Sequence, residues 1–566
     1  MENELKGTIN VKTINGKKYY IHQYREDGKM KNVSLSMEEA YALSFRINYS
    51  KNCDYNELSN HRFNTNVNIS KGLLNLMYPY SKYNKRYVFD DINNFLLDEN
   101  ITGKVLILYG LRRTGKTTLI FQNILSFSLN DFAKVAYIKI KDGDTFYHLD
   151  KDLEYLTTHG FKYIFIDEVT LLTDFIKLSS SIADIYGTRS KVVLSGTDSL
   201  GFLFAKYNEL YDRSIFIHTT YIPFKEFHDV LNINSVDTYI EYGGTMSLGG
   251  VDYNNQKILD GEHTNEYVDA SIAKNIEHSL KYFEDGTHFA SLYPLYKSGE
   301  LSNVINRIVE DKNHRVTKEV IDKDFNSSDY GSLKDLLFKR SETHELAIIF
   351  HMLDENELLN VYTKMLKILN KDERVNQIDE KVLKEIDSYL DLLDVLKTID
   401  EIRLESMAKQ EHKVVVQQGL RYAQAKLLLT ELMDNPEVTR VGYRNLKIIR
   451  EKLLSDIKGR MLEEIVLYET KHFASEFKKV FKLSFAAGEI DMVVLDEENE
   501  STSLYEIKYS SIIDKNQYRH LVNEDVNNKI ERLFYPIKNR YVIYNGESQR
   551  VDDIIYINVV DYLTSL

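Results

Sequence analysis

The chain has 566 residues, with 72 lysines and arginines against 86 aspartates and glutamates, for a formal net charge of −14. A chain of this length exceeds one hydrophobic core, and we expect about three or four domains. The acidic balance excludes a surface coated throughout with nucleic-acid-binding charge, although it leaves room for a local basic surface.

Two further features concern the compartment. The sequence has no run of 18 apolar residues, and its first residues, MENELKGTINVK, lack the pattern of a signal peptide. Cys53 is the single cysteine, which excludes an intramolecular disulfide or a cysteine-rich metal site. We therefore expect a soluble, cytoplasmic protein without a membrane partner.

Residues 1–62 are predicted to form a small module of three strands and a helix. The stretches TINVKTI, KKYYIHQYR and MKNVSLS are strand candidates separated by NG and EDG turn signals, and a helix follows Ser36 as its N-cap. The basic residues of this strand region are Lys12, Lys17, Lys18, Arg25, Lys29 and Lys31. The module resembles the small DNA-reading arm domains of phage integrases, but such hairpins are common, so nucleic-acid binding is one hypothesis and a purely structural module is the other.

Residues 63–235 are predicted to form a nucleotide-binding domain. Apolar runs alternate with helical stretches, which is typical of parallel strands buried on both faces of a sheet. The runs are residues 105–109, 135–140, 163–166, 192–195 and 214–219.

The stretch YGLRRTGKTTLIFQ follows the first of these strands and contains the pattern GxxxxGK[ST]. In such a loop, backbone N–H groups surround a phosphate, the lysine reaches the β and γ phosphates, and the hydroxyl binds Mg²⁺. The sequence therefore predicts ATP and Mg²⁺ as cofactors. Arg113 adds positive charge or points to solvent. The predicted nucleotide-binding residues are Gly110, Arg113, Thr114, Gly115, Lys116, Thr117, Thr118 and Asp167.

Later positions carry the predicted hydrolytic chemistry. Asp167 ends an apolar strand where it can hold Mg²⁺ through water, and Glu168 can polarise the attacking water, although such a pair can also be an ordinary strand end. Ser195 or Thr197 could orient that water. Arg213 could contact the γ-phosphate, in cis or across an oligomer interface, or form a surface salt bridge.

Residues 236–450 are predicted to be mostly helical. Within them, residues 379–402 are strongly periodic, and the stretch 375–402 could be the second half of a winged helix-turn-helix or part of a plain helical bundle. Residues 451–566 return to an order of helix, strands, helix and strand, which predicts a separate α/β domain.

One strand of this last region, within YEIKYSS, places Glu506 and Lys508 on the same face. Glu463 or Glu464 lies upstream on the predicted helix after Gly459, and Asp491 follows in GEID. The pair ExK alone is not evidence for a functional site, because it occurs often by chance. The ordered set of the upstream glutamate, GEID and ExK is more specific.

Several segments resemble a family of archaeal and bacterial AAA-like P-loop ATPases related to the STAND class. They are GLRRTGKTTL, FIDEV, LSGTDS, YDRSIFIHTTYIPFKEF, YIEYGGTMSLGG, VVQQGLRYAQAKLLLTEL and GRMLEEIVLYE. The resemblance covers roughly residues 65–566 and implies a parallel sheet of the AAA/ASCE type, a helical or winged-helix middle and a C-terminal PD-(D/E)XK nuclease-like domain. The chain departs from the family at Asp212, where members usually have glycine before the arginine.

The resemblance also implies roles for the C-terminal residues. Glu463, Asp491 and Glu506 would be metal ligands, in addition to Thr117 and Asp167 in the ATPase domain, and Asp491, Glu506 and Lys508 would be catalytic. Residues 455–566 hold 14 lysines and arginines against 20 aspartates and glutamates, a balance that disfavours binding to a phosphate backbone. The alternative is therefore an inactive nuclease fold in which Glu506 and Lys508 form an ion pair.

The sequence thus predicts an α/β multidomain protein, an AAA-like ATPase that hydrolyses ATP and is coupled to a nuclease-like domain acting on DNA. The alternative is a nucleotide-dependent binding switch with an inactive nuclease fold, acting through nucleic-acid or protein partners. A ring-forming remodelling machine is a third class, which would need a pore loop and an arginine acting across the interface. An oligomer is possible in each case.

Overall fold

The computed structural model describes most of the chain in two compact units. It covers residues 7–52, 60–172, 175–197, 212–244, 289–326, 379–436 and 443–566, without position 487 and with a few single positions between these ranges. The first unit holds the described residues up to Thr220 together with Leu280, and the second holds the remainder. Cys53 and residues 245–250 of the family-like segment YIEYGGTMSLGG lie outside the described residues.

The N-terminal module consists of three antiparallel strands and a helix, as its turn signals predict. The elements are β1 (Thr8–Ile14), β2 (Lys17–Glu26), β3 (Lys29–Leu35) and α1 (Met37–Asn52). Asn15 and Gly16 have positive φ angles of 51° and 75°, and Asp27 and Gly28 have 51° and 77°. Both hairpins therefore use residues that tolerate the left-handed conformation.

Helix α1 begins at a capping box that the sequence predicts in part. The N–H of Glu39 donates to Ser36 Oγ at 3.2 Å, and the N–H of Ser36 donates to the Glu39 carboxylate at 2.8 Å. The helix packs against the sheet through Tyr41, whose ring lies 6.3 Å from that of Tyr20. Tyr41 also contacts Phe132, so the module belongs to the same unit as the nucleotide-binding sheet.

The first unit also contains a six-stranded sheet in the order β4-β6-β7-β8-β5-β9, parallel except for β4. Its strands are β4 (Asn66–Asn68), β5 (Val105–Tyr109), β6 (Val135–Lys139), β7 (Tyr163–Asp167), β8 (Lys191–Gly196) and β9 (Ser214–His218). Its helices are α2 (Ser70–Met77), α3 (Val88–Leu97), α4 (Lys116–Ser126), α5 (Leu129–Phe132), α6 (Phe146–Thr158) and α7 (Phe175–Ser181). Strands β5, β6, β7 and β8 are buried as apolar runs, and β8 lies between β5 and β7.

The second unit is built on an eight-stranded sheet in the order β11-β10-β12-β13-β14-β15-β17-β16. The strands are β10 (Leu396–Arg403), β11 (Lys409–Val415), β12 (Lys478–Phe485), β13 (Gly488–Asp496), β14 (Ser501–Lys508), β15 (Ile537–Tyr544), β16 (Gln549–Val551) and β17 (Ile554–Asn558). Strands β12, β13 and β14 form an antiparallel meander, and β14, β15 and β17 run parallel.

Nine described α-helices accompany this sheet. They are α8 (Phe224–Leu231), α9 (Val236–Tyr242), α10 (Tyr293–Ser298), α11 (Leu301–Asn326), α12 (Glu380–Leu392), α13 (Gln418–Asp434), α14 (Tyr443–Phe473), α15 (Glu524–Leu533) and α16 (Val559–Ser565). Helix α14 carries much of the core, with Met461, Leu462 and Val466 fully buried. Among the described helices, none is long and apolar enough to cross a membrane.

The structure differs from the sequence-based expectation in the periodic segment 379–402. Its described part is helical only to Leu392, and β10 begins at Leu396 and pairs in parallel with β12. A short apolar run such as LKTI does not distinguish helix from strand, and the deciding partner lies far along the chain.

The predicted boundary between residues 450 and 451 falls inside α14, and β10 and β11, which precede it, join the sheet that follows it. The described part of the predicted helical middle therefore contains a β-hairpin. The division into four domains stays a prediction, and the two units are coarser than it.

Candidate functional sites

The loop between β5 and α4 requires glycine at two positions. Gly110 has a φ of 146°, and a Cβ atom there would lie 2.5 Å from Thr219 Oγ1 and 3.0 Å from the Thr220 nitrogen. Gly115 caps α4 with a φ of 88°. The first N–H groups of a helix have no partner within it, so the loop and the start of α4 form a concave array of donors suited to an anion.

Lys116 is the first residue of α4, and its side chain lies back over the loop. Its Nζ donates to the carbonyl oxygens of Gly110 at 2.8 Å and Leu111 at 2.7 Å. Burial lowers the pKa of Lys116 to about 8, and the nearby carboxylates of Glu168 and Asp167 oppose that shift. The ammonium is thus held at the loop by two carbonyls and by negative charge.

Arg86 lies outside any recognised sequence motif, and its side chain holds the glycine loop between β5 and α4 in place. Its buried Nη1 donates to the carbonyl of Thr114 at 2.7 Å and to that of Thr219 at 2.8 Å. Thr114 Oγ1 also lies 2.8 Å from Thr219 Oγ1, and the Leu111 N–H donates to Thr220 Oγ1 at 3.0 Å. The loop is therefore tied to the segment that follows β9.

Asp167, at the end of β7, is the centre of a hydrogen-bonded cluster. Its buried carboxylate accepts hydrogen bonds from Thr117 Oγ1 at 2.9 Å, from the Tyr137 hydroxyl at 2.9 Å and from Ser195 Oγ. The Glu168 N–H donates to it at 3.2 Å. The structure thus brings Thr117, Asp167 and Ser195 together and adds Tyr137, which the sequence analysis missed because it lies on β6 outside any motif.

Glu168 occupies a left-handed conformation with a φ of 57°. Burial raises the pKa of its carboxyl, the neighbouring Asp167 raises it further, and Lys116 and Arg112 act in the opposite direction. A carboxylate with a raised pKa beside a phosphate-binding loop is a stronger base than an exposed one.

The remaining loop positions are placed as follows. Arg113 is exposed and has a φ of 64°, Thr118 is half-buried on the first turn of α4, and Thr197 is buried just beyond β8. Of these, Thr118 lies on the helix turn that begins at the loop.

Arg213 is not brought to the phosphate loop. It lies just before β9, and its carbonyl accepts a hydrogen bond from the N–H of Val105, the first residue of β5. Because β5 and β9 run parallel, this is the end of the sheet opposite Gly110. Its guanidinium pairs with Asp184 at 2.7 Å, and both side chains are about half exposed. The predicted contact in cis is therefore not formed, and a contact across an oligomer interface stays a prediction.

A comparison with known protein families finds a match to the part of the chain that contains this first site. Residues 102–228 match the AAA domain family. This stretch is similar to the AAA domains of P-loop ATPases. It contains the glycine loop, Asp167, Glu168 and Ser195.

Among solved structures, the chain is similar to a Walker-type ATPase of Pyrococcus abyssi, with 11% identity, a TM-score of 0.26, and coverage of 60% of this chain and 95% of that chain. No curated protein matches the chain. The AAA domain match ends at residue 228, and the second site lies beyond it.

This second site is a cavity of about 840 Å³ in the second unit. It is lined by α11, α14, β13, β14 and the segment that follows β14. The titratable residues along it include Asp456, Arg460 and Glu463 from α14, Glu489 and Asp491 from β13, Glu506 and Lys508 from β14, and Glu319, Arg519 and His520. The alternation of strand side chains explains why residues two apart meet on one face.

Three carboxylates converge on this cavity. Oxygens of Glu463, Glu489 and Asp491 all lie within 4.8 Å of one another. Glu463 was predicted as one of two alternatives, and the structure distinguishes them, since Glu464 forms an ion pair with Arg421 and does not line the cavity. Glu489 was not predicted, although its place two residues before Asp491 on a strand was the available signal.

Asp491 is the most strongly held of the carboxylates. It accepts hydrogen bonds from the Ile507 N–H and from Lys508 Nζ, both at 2.8 Å. Burial acts to raise its pKa, but Lys508, Lys482 and the Ile507 N–H outweigh burial and lower the pKa to about 2. Asp491 is therefore ionised throughout the physiological range.

Glu506 has the opposite character. Its side chain is 3% exposed and accepts from Lys508 Nζ at 2.6 Å through Oε2, while Oε1 has no hydrogen-bond partner among the described residues. Burial and the charge of Asp491 raise its pKa well above the ordinary value. The site therefore contains a buried carboxyl whose ionisation calls for additional positive charge.

Two cations that the sequence analysis missed complete the site. The buried Lys482 of β12 pairs with Glu489 at 2.8 Å. Arg460 pairs with Glu463 at 2.6 Å and lies 3.8 Å from Glu489. Their positive charge offsets part of the repulsion among the three carboxylates.

Proposed function

We propose that the chain is an ATP-hydrolysing AAA-like ATPase whose second unit carries a metal-dependent nuclease site of the PD-(D/E)XK type, acting on DNA. The observation that carries this proposal is the convergence of Glu463, Asp491, Glu506 and Lys508 on one cavity of about 840 Å³. These residues come from a helix and two neighbouring strands in the order that the resemblance implies.

In the ATPase domain, each residue has a stated task. The loop amides and Lys116 bind the phosphates, and Thr117 and Asp167 hold the Mg²⁺ that accompanies ATP. Glu168, with its raised pKa, polarises the attacking water, and Ser195 keeps the Asp167 carboxylate oriented. Bound Mg²⁺ supplies charge neutralisation on the phosphates.

Glu168→Gln tests the hydrolytic role. Removing the base while keeping the shape should lower the hydrolysis rate by about 100-fold or more and leave ATP binding within about threefold of the unaltered protein. Glu154→Gln, an exposed residue of α6, is the matched control. Hydrolysis by Glu168→Gln at the rate of the control would overturn the assignment.

The residues of the second site fit a divalent cation. Its donors are carboxylate oxygens, which Mg²⁺ and Mn²⁺ prefer, and Glu506 Oε1 is buried without a partner among the described residues. Glu463, Glu489, Asp491 and Glu506 would hold the ion. A bound cation would stabilise charge on a scissile phosphate.

Lys508 has the role of positioning water. Burial acts to lower its pKa, but Asp491 and Glu506 outweigh burial and raise the pKa above its ordinary value. The side chain is therefore an ammonium at neutral pH and cannot take a proton. It can hold the attacking water by hydrogen bonds and stabilise negative charge that develops on the phosphate.

Titration of Mn²⁺ into the full chain tests the metal site without relying on cleavage. Because the pKa of Glu506 is raised, binding should release a proton, so affinity should increase with pH and the heat should depend on the buffer. Asp491→Asn should weaken binding about tenfold or more, and Glu506→Gln should reduce proton release, leaving the part that comes from Glu463, whose pKa burial and Asp491 also raise. Glu547→Gln, exposed in the same unit, is the control. Equal binding by all four proteins would contradict the proposal.

One observation favours the alternative, a binding switch with an inactive nuclease fold. Lys508 pairs with both Asp491 and Glu506, at 2.8 and 2.6 Å, which is the ion pair expected of such a fold. In that case ATP would bind, and Mn²⁺ titration would show no saturable site.

A further inference from the structure

The end of β14 contacts two helices of the second unit. Lys508 is the last residue of this strand, and Tyr509, the residue after it, lines the same cavity. A Cβ atom at Gly459 of α14 would lie 3.5 Å from Tyr509 Cβ, so Tyr509 packs directly on α14. The Tyr509 hydroxyl donates a hydrogen bond to Asp237 Oδ1 on α9. Tyr509 therefore contacts both helices at once.

The same oxygen of Asp237 receives a second donor, which comes from α14. Lys458 Nζ donates to Asp237 Oδ1 at 3.1 Å and to Glu241 Oε1 at 2.6 Å. Asp237 and Glu241 are four residues apart, so they share one side of α9. The Asp237 carboxylate therefore joins α14 to the end of β14.

These two elements each supply a residue of the proposed nuclease site. Glu463 follows Lys458 on α14 at a distance of about 7.5 Å along the helix axis, and Lys508 directly precedes Tyr509. A helix makes its backbone hydrogen bonds within itself, so side chains must set its distance from a strand. Catalytic groups have to be held within about 0.5 Å of their working positions, which makes such side-chain contacts important.

The two contacts of Asp237 differ in how easily they are replaced. The side chain of Asp237 is 49% exposed, and an ion pair at such a position contributes little by itself. Lys458 is 15% exposed and keeps Glu241 as a partner when Asp237 is changed. Loss of the Asp237 side chain therefore acts mainly on Tyr509, whose hydroxyl loses this acceptor.

We infer that Asp237 is a positioning residue of the second site: by holding Tyr509 against α14, it fixes Lys508 relative to Glu463. This role rests on the proposed nuclease function. It depends on the acceptor atom and does not depend on the charge, because an amide oxygen can accept the same hydrogen bond from a tyrosine hydroxyl.

Two substitutions separate the hydrogen bond from the charge. Asp237→Ala removes the acceptor, whereas Asp237→Asn removes the charge and keeps an oxygen that can accept from Tyr509. In the full chain with Mg²⁺, ATP and a DNA duplex, Asp237→Ala should lower kcat for cleavage about tenfold and leave KM within about threefold. Asp237→Asn should retain kcat within about threefold. Glu241→Ala, which removes the other carboxylate that binds Lys458, is the matched control and should do the same.

Hydrogen exchange gives a second readout that does not require cleavage. The Ile507 N–H donates to Asp491, so exchange in peptides covering residues 501–511 reports on the end of β14. Asp237→Ala and Tyr509→Phe should each speed this exchange about tenfold, and the double variant should be no faster, because both changes remove the same bond. Asp237→Asn and Glu241→Ala should leave the exchange unchanged.

Three results would overturn this role for Asp237. They are cleavage by Asp237→Ala at the unaltered kcat, a loss of kcat in Asp237→Asn as large as that in Asp237→Ala, and equal exchange of residues 501–511 in Asp237→Ala and Glu241→Ala. Absence of cleavage by the unaltered protein would instead refute the proposed function, and hydrogen exchange would still decide whether Asp237 holds the end of β14.

Discussion

Asp167 shows how single residues of the ATPase site are arranged. Its carboxylate accepts hydrogen bonds from the hydroxyl groups of Thr117, Ser195 and Tyr137. The Thr117 hydroxyl, which is predicted to bind Mg²⁺, is therefore already directed at Asp167, which is predicted to hold the same ion. Thr117 and Asp167 could be predicted because each lies in a local motif beside a strand. Tyr137 and Arg86 could not, because their roles depend on neighbours that only the folded sheet supplies.

We predict that Arg86 is needed for the shape of the glycine loop. Arg86→Ala removes the donor to the carbonyls of Thr114 and Thr219 and should cost about 1 to 3 kcal/mol of stability. ATP affinity should fall about tenfold, because the loop loses its support. Binding of a fluorescent ATP analogue measures the effect.

Arg62→Ala, at an exposed position of the same unit, should leave affinity unchanged. Equal affinities for Arg86→Ala and Arg62→Ala would show that Arg86 does not support the loop.

At the scale of elements, the strand, glycine loop and helix from β5 to α4 follow the sequence closely, since the apolar run, the glycines and the helix start are all local signals. The segment around β10 does not. Its apolar residues fit either a helix or a strand, and pairing with β12 makes it a strand. In the second site, the period of two predicts Glu506 with Lys508, and the same period would have added Glu489 to Asp491.

Alanine substitutions at two glycines are expected to change stability in opposite directions. Gly110→Ala places a Cβ atom 2.5 Å from Thr219 Oγ1 at a φ of 146°, so it should destabilise the first unit by about 2 kcal/mol and abolish ATP binding. Gly72→Ala lies within α2, where a Cβ atom meets nothing within 4 Å, and should stabilise by about 0.5–1 kcal/mol.

Thermal midpoints and ATP affinity of the two glycine variants measure both effects. Unimpaired ATP binding by Gly110→Ala would contradict the proposed loop geometry.

At the scale of the whole molecule, the buried Glu469 joins distant parts of the second unit. It lies on α14 and accepts hydrogen bonds from the Phe224 N–H at 2.8 Å and the Tyr239 hydroxyl at 3.2 Å. Burial raises its pKa to about 8, and the groups that donate to it oppose that shift. No local sequence pattern indicates this contact, because its members lie more than two hundred residues apart.

The raised pKa of Glu469 predicts that the free energy of unfolding of the second unit depends on pH. Its pKa is raised from 4.5 to about 8 in the folded state. The contribution of the protonated Glu469 to the free energy of unfolding is therefore fully present below pH 4.5 and is lost as pH rises toward 8. Within that window the free energy of unfolding should fall by about 1.4 kcal/mol per pH unit. Glu469→Gln, which does not titrate, should remove this slope.

Hydrogen exchange of α14 peptides, compared between variants at each pH, measures the slope that Glu469 contributes. The exposed Glu476→Gln should behave as the unaltered protein does. Parallel pH profiles for the unaltered protein and Glu469→Gln would exclude Glu469 as the source.

DNA cleavage by the full chain with Mg²⁺ and ATP, measured beside Lys116→Ala and Lys508→Ala, tests the proposed function most directly. We predict that the unaltered protein hydrolyses ATP and cuts DNA, that Lys508→Ala hydrolyses ATP without cutting, and that Lys116→Ala loses hydrolysis and any effect of ATP on cutting. Cleavage by Lys508→Ala at the unaltered rate, or no cleavage by the unaltered protein, would contradict the account.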